Sequence, residues 1–317
     1  MQFEIRGKDK TMSERILSVG GPRASSPISD FLMVNDYEGP KAGKYYVDLN
    51  VAATGSGSPD HPFSTIAEAI TASNASIGLA ANRWWARRNK IFVCGDGIKE
   101  DLTVLPEKCD IIGCGSDLYP FPRVIGRHVI AAAAVGTRFI NMGFQANNAT
   151  DLITIPAGCH GLQLLNCLFV PKASGTTIGL KITDTACMKI AGCSFQVSGG
   201  TMDNIFGTAI SLLGTVGHET EISYNKIIGT VGILTATALV ALGSHINNNF
   251  IHATGLTIND VAQGYYVYDN RLITDVDIDS DTTLGIVCKP ELACGNIITG
   301  SGTAGTSDWY PWARIAA

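Results

Sequence analysis

The fold is decided by a short pattern that returns along the chain, first as FINMGF (139–144) and then as LLNCLF (164–169). Further copies are IAGCSF (190–195), SYNKII (223–228), NNNFI (247–251) and YDNRLI (268–273). Each copy has an Asn, or once a Gly, three positions before an apolar residue, and successive copies are 25, 26, 33, 23 and 22 residues apart. Short strands that recur at such a period are typical of a solenoid, in which each coil buries its apolar face against its neighbours.

A second set of short apolar stretches lies between these copies, at 152–155, 178–182, 209–213, 238–242 and 284–287. A doubly wound α/β fold would need helices of roughly 10–15 residues between the strands, and the sequence after Lys90 contains no such pattern. A β-sandwich would suit the strand lengths but would not explain the Asn period. We therefore predict an all-β fold, a right-handed parallel β-helix.

The recurring Asn has a physical explanation in such a fold. Asn tolerates the left-handed backbone region, and its amide can satisfy turn backbone groups of the coils on either side. We therefore predict a structural ladder at one corner, formed by Asn141, Asn166, Asn225, Asn248 and Asn270.

One segment before the repeats is predicted to be helical, from about Ser64 to Ser73, with a resumption as far as Arg88 left open. Thr65 and Glu68 have the spacing of a capping box. The small or apolar residues of one face are Ile66, Ala69, Ile70 and Ser73.

Composition excludes several classes of protein. The chain has 317 residues, of which 45% are hydrophobic and 16% charged, with a formal net charge of −5. A nucleic-acid-binding protein would need clustered Lys and Arg, and no apolar run approaches the roughly 20 residues of a membrane span. The nine cysteines include no Cys-x-x-Cys pair, so we expect reduced thiols buried as small hydrophobic residues and neither a metal nor a cofactor.

The region before the repeats also resembles a known family. Tyr46-Val-Asp48, Gly-Ser-Pro59 and Pro62-Phe-x-Thr65-Ile-x-x-Ala-Ile70 are similar to the N-terminal signature of the pectate-lyase-like parallel β-helix superfamily. That superfamily includes bacteriophage tail spikes, other virion proteins and polysaccharide enzymes. The resemblance implies that the helix caps the first coil.

These observations give a four-part layout. Residues 1–39, interrupted by Pro22 and Pro27, are expected to form an extended arm that attaches to a partner. Residues 40–90 hold the first strand and the capping helix, 91–299 the β-helix coils, and 300–317 a C-terminal tail or cap.

Two groups of carboxylates are the candidates for a metal-binding or catalytic role. Asp275, Asp277, Asp279 and Asp281 alternate with other residues and could bind Ca²⁺ or act as an acid–base pair, although a solvated strand face is the favoured interpretation. Other acidic residues, which could pair between adjacent coils, are Asp151, Asp184, Asp203, Glu219, Glu221, Asp260 and Asp269. The local signatures of polygalacturonase-like enzymes are missing.

The function expected from these features is structural. We expect a virion protein, a phage capsid-decoration or spike protein that is made in the host cytoplasm, forms a homotrimer and binds other capsid or tail proteins through its arm. The beginning of the chain has no hydrophobic core of a secretion signal, which suits this expectation. The alternatives are a polysaccharide-degrading lyase or glycoside hydrolase, and a protein that binds a cell-surface polysaccharide without turnover.

Overall fold

The structure, a computed structural model, describes residues 42–48, 50–77, 88–103, 108–115, 122–130, 135–172, 176–197, 204–236, 239–255, 257–259, 263–274, 286–287, 293–294, 296–300 and 313–315. The predicted arm (1–39), the acidic run (275–281) and almost all of the predicted tail (300–317) lie outside these ranges.

The described residues contain one α-helix, α1 (Ile66–Ile77), and 26 strands. The first strands are β1 (Lys44–Asp48), β2 (Lys90–Cys94), β3 (Ile98–Lys99), β4 (Asp110–Gly113), β5 (Arg123–Gly126), β6 (His128–Val129), β7 (Arg138–Ile140), β8 (Gly143–Ala146), β9 (Ile153–Ile155), β10 (Gln163–Leu165), β11 (Leu168–Val170), β12 (Thr176–Thr183) and β13 (Lys189–Ala191). The remaining strands are β14 (Ser194–Phe195), β15 (Phe206–Leu213), β16 (Glu221–Ser223), β17 (Lys226–Thr235), β18 (Val240–Asn247), β19 (Phe250–Ala253), β20 (Ile258–Asn259), β21 (Gln263–Tyr268), β22 (Arg271–Thr274), β23 (Ile286–Val287), β24 (Ala293–Cys294), β25 (Asn296–Gly300) and β26 (Ala313–Ile315).

The strands form long parallel sheets. The ten-stranded sheet, called sheet 1 below, has the order β1-β2-β4-β7-β10-β13-β16-β18-β21-β24. The main path of the sixteen-stranded sheet, called sheet 2, runs from β3 through β5, β8, β11, β14, β17, β19, β22 and β25 to β26. Its branch contains β6, β9, β12, β15, β20 and β23. The prediction of an all-β fold with parallel strands is therefore confirmed.

The chain visits these positions in a fixed order. It passes from β7 in sheet 1 to β8 in sheet 2 and β9 in the branch, and then returns to sheet 1 as β10, which pairs in parallel with β7. We call each such passage a rung. This topology is consistent with a parallel β-helix.

The strands of one rung depart from the predicted segments. The stretch at 238–242 was expected in the second set, but β18, which begins at Val240, belongs to sheet 1. The preceding strand β17 is 10 residues long. Its first part pairs with β14 and β19, and its second part with β15 and β20. One continuous strand thus occupies both sheet positions in that rung.

The core lies between the sheets, because alternate residues of each strand point inward. In sheet 1 the inward residues Phe139, Leu164, Ile190, Ile222 and Ile246 are all buried. In sheet 2 the rings of Phe144, Phe169 and Phe195 stack from rung to rung, with centroids 5.7 and 4.5 Å apart. Stacking of identical positions across rungs therefore builds a continuous apolar core.

The helix confirms the predicted capping box. The N–H of Thr65 donates to Oε2 of Glu68 at 3.2 Å, and the N–H of Glu68 donates to Oγ1 of Thr65 at 3.2 Å. Two further N–H groups of the first turn, those of Ile66 and Ala67, donate to the carboxylate of Glu100 at 3.0 and 2.8 Å. The buried face is the predicted one, extended by one turn, and it packs on β1 and β2. Its residues are Ile66, Ala69, Ile70, Ser73 and Ile77.

Candidate interaction surface and structural ladder

The corner between sheets 1 and 2 contains two adjacent columns of residues. The outer column has positive φ in successive rungs, at Asn141, Asn166, Gly192, Tyr224, Asn248 and Asp269. A left-handed backbone is costly for most side chains, and Gly, Asn and Asp tolerate it best. The recurring Asn or Gly of the sequence pattern is therefore in part a requirement of backbone geometry.

The inner column forms a hydrogen-bonded ladder of three buried amides. Oδ1 of Asn249 accepts from the N–H and the Nδ2 of Asn225, both at 3.0 Å, and Oδ1 of Asn270 accepts in the same way from Asn249. Nδ2 of each residue also donates at 2.9 Å to a backbone carbonyl of the preceding rung, at Ile190, Ile222 and Ile246. Every rung of the ladder thus satisfies backbone groups that water does not reach.

Thiols continue this column towards the N-terminal rungs. Oδ1 of Asn225 accepts from the N–H of Cys193 at 2.8 Å. Sγ of Cys193 in turn accepts from the N–H of Cys167 at 3.4 Å and donates to the carbonyl of Leu164 at 3.4 Å. A cysteine at this position therefore makes the same two kinds of contact as an asparagine, with longer bonds.

The structure divides the predicted ladder residues between the two columns. Asn225 and Asn270 lie in the buried ladder, whereas Asn141, Asn166 and Asn248 occupy the left-handed outer column. Asn249 belongs to the ladder and was missed. The outer and inner columns are occupied by consecutive residues, and the run of three asparagines at 247–249 hides which one belongs to which column. The order Tyr224-Asn225 could have revealed it, because only the second residue is an Asn.

A buried ionic cluster lies on the outer face of sheet 1. Asp110 is fully buried, and its Oδ1 accepts from Nε of Arg138 at 2.7 Å and from Nε of Arg88 at 2.9 Å. Arg88 also donates to the carbonyl of Gly136 at 2.9 Å. One carboxylate between two guanidinium groups is a structural arrangement that ties the segment before β2 to two strands of the sheet. No sequence pattern had singled it out.

The carboxylates considered for catalysis are largely engaged in structural contacts. Oδ1 of Asp184 accepts from the backbone N–H groups of Thr215 and Val216, and these hydrogen bonds hold the pKa of Asp184 below its usual value. Ion pairs join Asp151 to Lys181 at 3.2 Å and Glu221 to Lys189 at 3.1 Å. Glu219 accepts from the thiol of Cys187, and Asp269 lies in the left-handed column. Asp203 and Asp260 lie outside the described residues.

The exposed large apolar side chains of the described residues are confined to three consecutive strands of sheet 1 and their ends. They are Tyr224, Val240, Leu242 and Tyr266, with exposed fractions of 58%, 41%, 63% and 48%. We call this set, with His245, the exposed band. Val240 and Leu242 lie in β18, Tyr266 lies in the neighbouring strand β21, and Tyr224 lies at the corner after β16, on the other side of β18.

Polar atoms without partners accompany the exposed band. The His245 ring stacks on Tyr266 with centroids 5.4 Å apart. Its Nδ1 is buried and makes no hydrogen bond, and the same holds for Oδ1 of Asn247. The concentration of exposed apolar area on this part of the surface is typical of an interaction site.

In the described part of the chain, no group of three or more His, Cys, Asp or Glu residues is arranged to hold a metal ion. The same part contains no helix of the length and apolarity needed to cross a membrane. Comparison of the chain with known protein-family models, with curated proteins and with solved structures finds no match.

Proposed function

We propose that this protein is a structural component of a virus particle, a right-handed parallel β-helix displayed on a phage capsid or tail as a homotrimer and produced in the host cytoplasm. The stacked rungs support the proposal, since the chain order from sheet 1 to sheet 2 to the branch is consistent with a solenoid. A right-handed path follows from the general handedness of parallel crossovers. Helix α1, packed on β1 and β2, acts as the cap of the first rung.

The exposed band is the observation that carries the proposal. Scattered exposed apolar residues are ordinary on a protein surface, but a concentration of them marks a contact with another molecule. Tyr is also among the residues that most often dominate the energetics of protein interfaces. We assign this band as the surface through which copies of the chain meet, while the arm at 1–39 attaches the assembly to the particle.

Two variants test the subunit contact. Leu242→Asp places a charge at the most exposed apolar residue of the exposed band, and Thr230→Asp places the same charge on an exposed position of β17, away from sheet 1. Sedimentation velocity should show a trimer for the wild type and for Thr230→Asp, and a monomer for Leu242→Asp with an unchanged circular dichroism spectrum. A wild-type monomer, or a trimer that survives Leu242→Asp, contradicts the assignment.

The attachment role has a separate test. A chain that lacks residues 1–39 should keep its β-rich spectrum but should no longer rebind particles from which the protein has been removed. Rebinding by the truncated chain would refute the role of the arm. A different result would assign the exposed band to glycan binding and not to trimer formation. In that case the wild type would be monomeric and would bind bacterial surface polysaccharide, and Tyr266→Ala would abolish the binding.

A further inference from the structure

Two thiols lie side by side on the first two rungs that follow α1. Cys94 is the last residue of β2, and Val93 pairs with Gly113 of β4, so Cys94 and Cys114 face each other across neighbouring strands. The backbone hydrogen bonding between β2 and β4 extends to this position, because the N–H of Cys114 donates to the carbonyl of Val93 at 2.7 Å. Neighbouring strands are about 4.8 Å apart, which falls within the roughly 4.4–6.8 Å that disulfides span between Cα atoms.

Solvent access sets this pair apart from the other described cysteines. Cys94 is half-buried and Cys114 is exposed, whereas Cys109, Cys159, Cys167 and Cys193 are buried. Val93 points into the core, and the alternation of a strand therefore directs Cys94 outward, to the side from which a reagent can approach. Cys187 is also exposed, and its thiol hydrogen-bonds to Glu219.

The two side chains also influence each other. Burial, and next the charge and hydrogen bond of Cys94, raise the pKa of the Cys114 thiol to about 11. The Cys114 thiol is therefore protonated at neutral pH, and alkaline conditions are needed to convert it to the reactive thiolate.

We propose that Cys94 and Cys114 are a site of covalent modification, a dithiol that closes into an intrachain disulfide when the protein meets an external disulfide oxidant. The thiolate of one cysteine attacks a sulfur of the oxidant and releases half of it as a thiol, which leaves a mixed disulfide on the protein. The second thiolate attacks the protein sulfur of that bond and releases the other half. The protein loses two protons and two electrons, and the oxidant is reduced to two thiols.

This link would join the first two rungs after the helix and would close a loop between β2 and β4. Such a cross-link restricts the unfolded chain and so slows the loss of these rungs. The inference does not depend on the virion role proposed above. Within that role, the bond would form once particles leave the reducing cytoplasm of the host.

The test uses the full-length protein, oxidised glutathione and peptide mapping without reduction. The wild type, oxidised at mildly alkaline pH, should lose the mass of two hydrogens, yield one peptide pair that links residues 94 and 114, and run as a single chain on a denaturing gel. Cys94→Ser should stop at the intermediate, with glutathione bound to Cys114. Cys187→Ser, the matched control at an exposed thiol without a thiol neighbour, should form the 94–114 link as the wild type does.

Several results would overturn the proposal. They are glutathione retained on Cys94 or Cys114 of the wild type with no link between them, a link between two chains, or no reaction at either thiol. Circular dichroism of each variant separates these outcomes from a failure to fold, since both serine substitutions lie outside the buried core.

Discussion

Asn225 is the residue at which the ladder changes from thiols to amides, and replacing it tests the ladder directly. Its side chain is 2% exposed. Asn225→Ala removes the acceptor of the Cys193 N–H and the donor to the Ile190 carbonyl, at 2.8 and 2.9 Å. Each buried backbone group left without a partner costs about 1–3 kcal/mol. The free energy of unfolding should therefore fall by about 2–6 kcal/mol.

Two matched variants separate the ladder from a general effect of mutation at this corner. Asn225→Cys restores the side chain found one rung earlier at Cys193, where a thiol makes both contacts, and it should cost clearly less than the alanine variant. Asn248→Gly changes the neighbouring outer column, where φ is 55°. Glycine adopts that backbone freely, and Gly192 occupies the same column. We expect a change within about 0.5 kcal/mol.

Chemical denaturation of the three variants beside the wild type measures these differences. If unfolding is slow or irreversible, unfolding rates at one denaturant concentration should be compared instead. Equal, small effects for Asn225→Ala and Asn248→Gly would refute the reasoning, because the buried ladder and the exposed outer column would then contribute equally to stability.

Three further predictions concern single buried sites. Burial lowers the pKa of His128 from 6.5 to about 4. Between these pH values the folded state therefore binds fewer protons than the unfolded state. The free energy of unfolding should fall by up to about 3 kcal/mol as the pH drops through that window. His128→Asn should flatten this dependence when unfolding free energies at pH 7 and pH 4 are compared, and an unchanged slope would show that other groups cause it. Asp110→Ala leaves the buried guanidinium of Arg138 without its carboxylate and should cost about 3–5 kcal/mol in denaturant titrations; a cost of less than about 1 kcal/mol would mean that water already reaches the pair. In Gly113→Ala the new Cβ would lie 1.9 Å from the carbonyl oxygen of Asn141. We expect the free energy of unfolding, measured in thermal melts, to fall by about 1–3 kcal/mol. An unchanged melting temperature would show that the backbone at Gly113 and at Asn141 can move apart without cost.

The sequence was sufficient to predict the parallel all-β architecture and the helix, because both depend on local patterns. The Asn period reflects the repeat of the rungs. The Thr65–Glu68 capping box and the apolar face after it mark the beginning and the orientation of α1.

Contacts between distant residues were not predictable in the same way. The two corner columns differ by one residue, and an asparagine suits both, in one for its backbone freedom and in the other for its amide. The Asp110 cluster joins side chains 22 and 28 residues apart in the chain. The exposed band depends on which outward residues stay uncovered, which a period alone does not define. The acidic run at 275–281 stays a prediction, since it lies outside the described residues.

The corner ladder makes one rung an interchangeable unit of length. Asn225 donates to Asn249 in the same way as Asn249 donates to Asn270, so successive rungs join in the same register at this corner. Removing residues 225–248 would bring Tyr224 directly before Asn249 and would rejoin two equivalent positions without shifting the inward and outward alternation. Duplicating the same segment would add one rung. A gene for such a protein can therefore change the length of its product in whole rungs, whereas inserting an odd number of residues within a strand would put core residues on the surface.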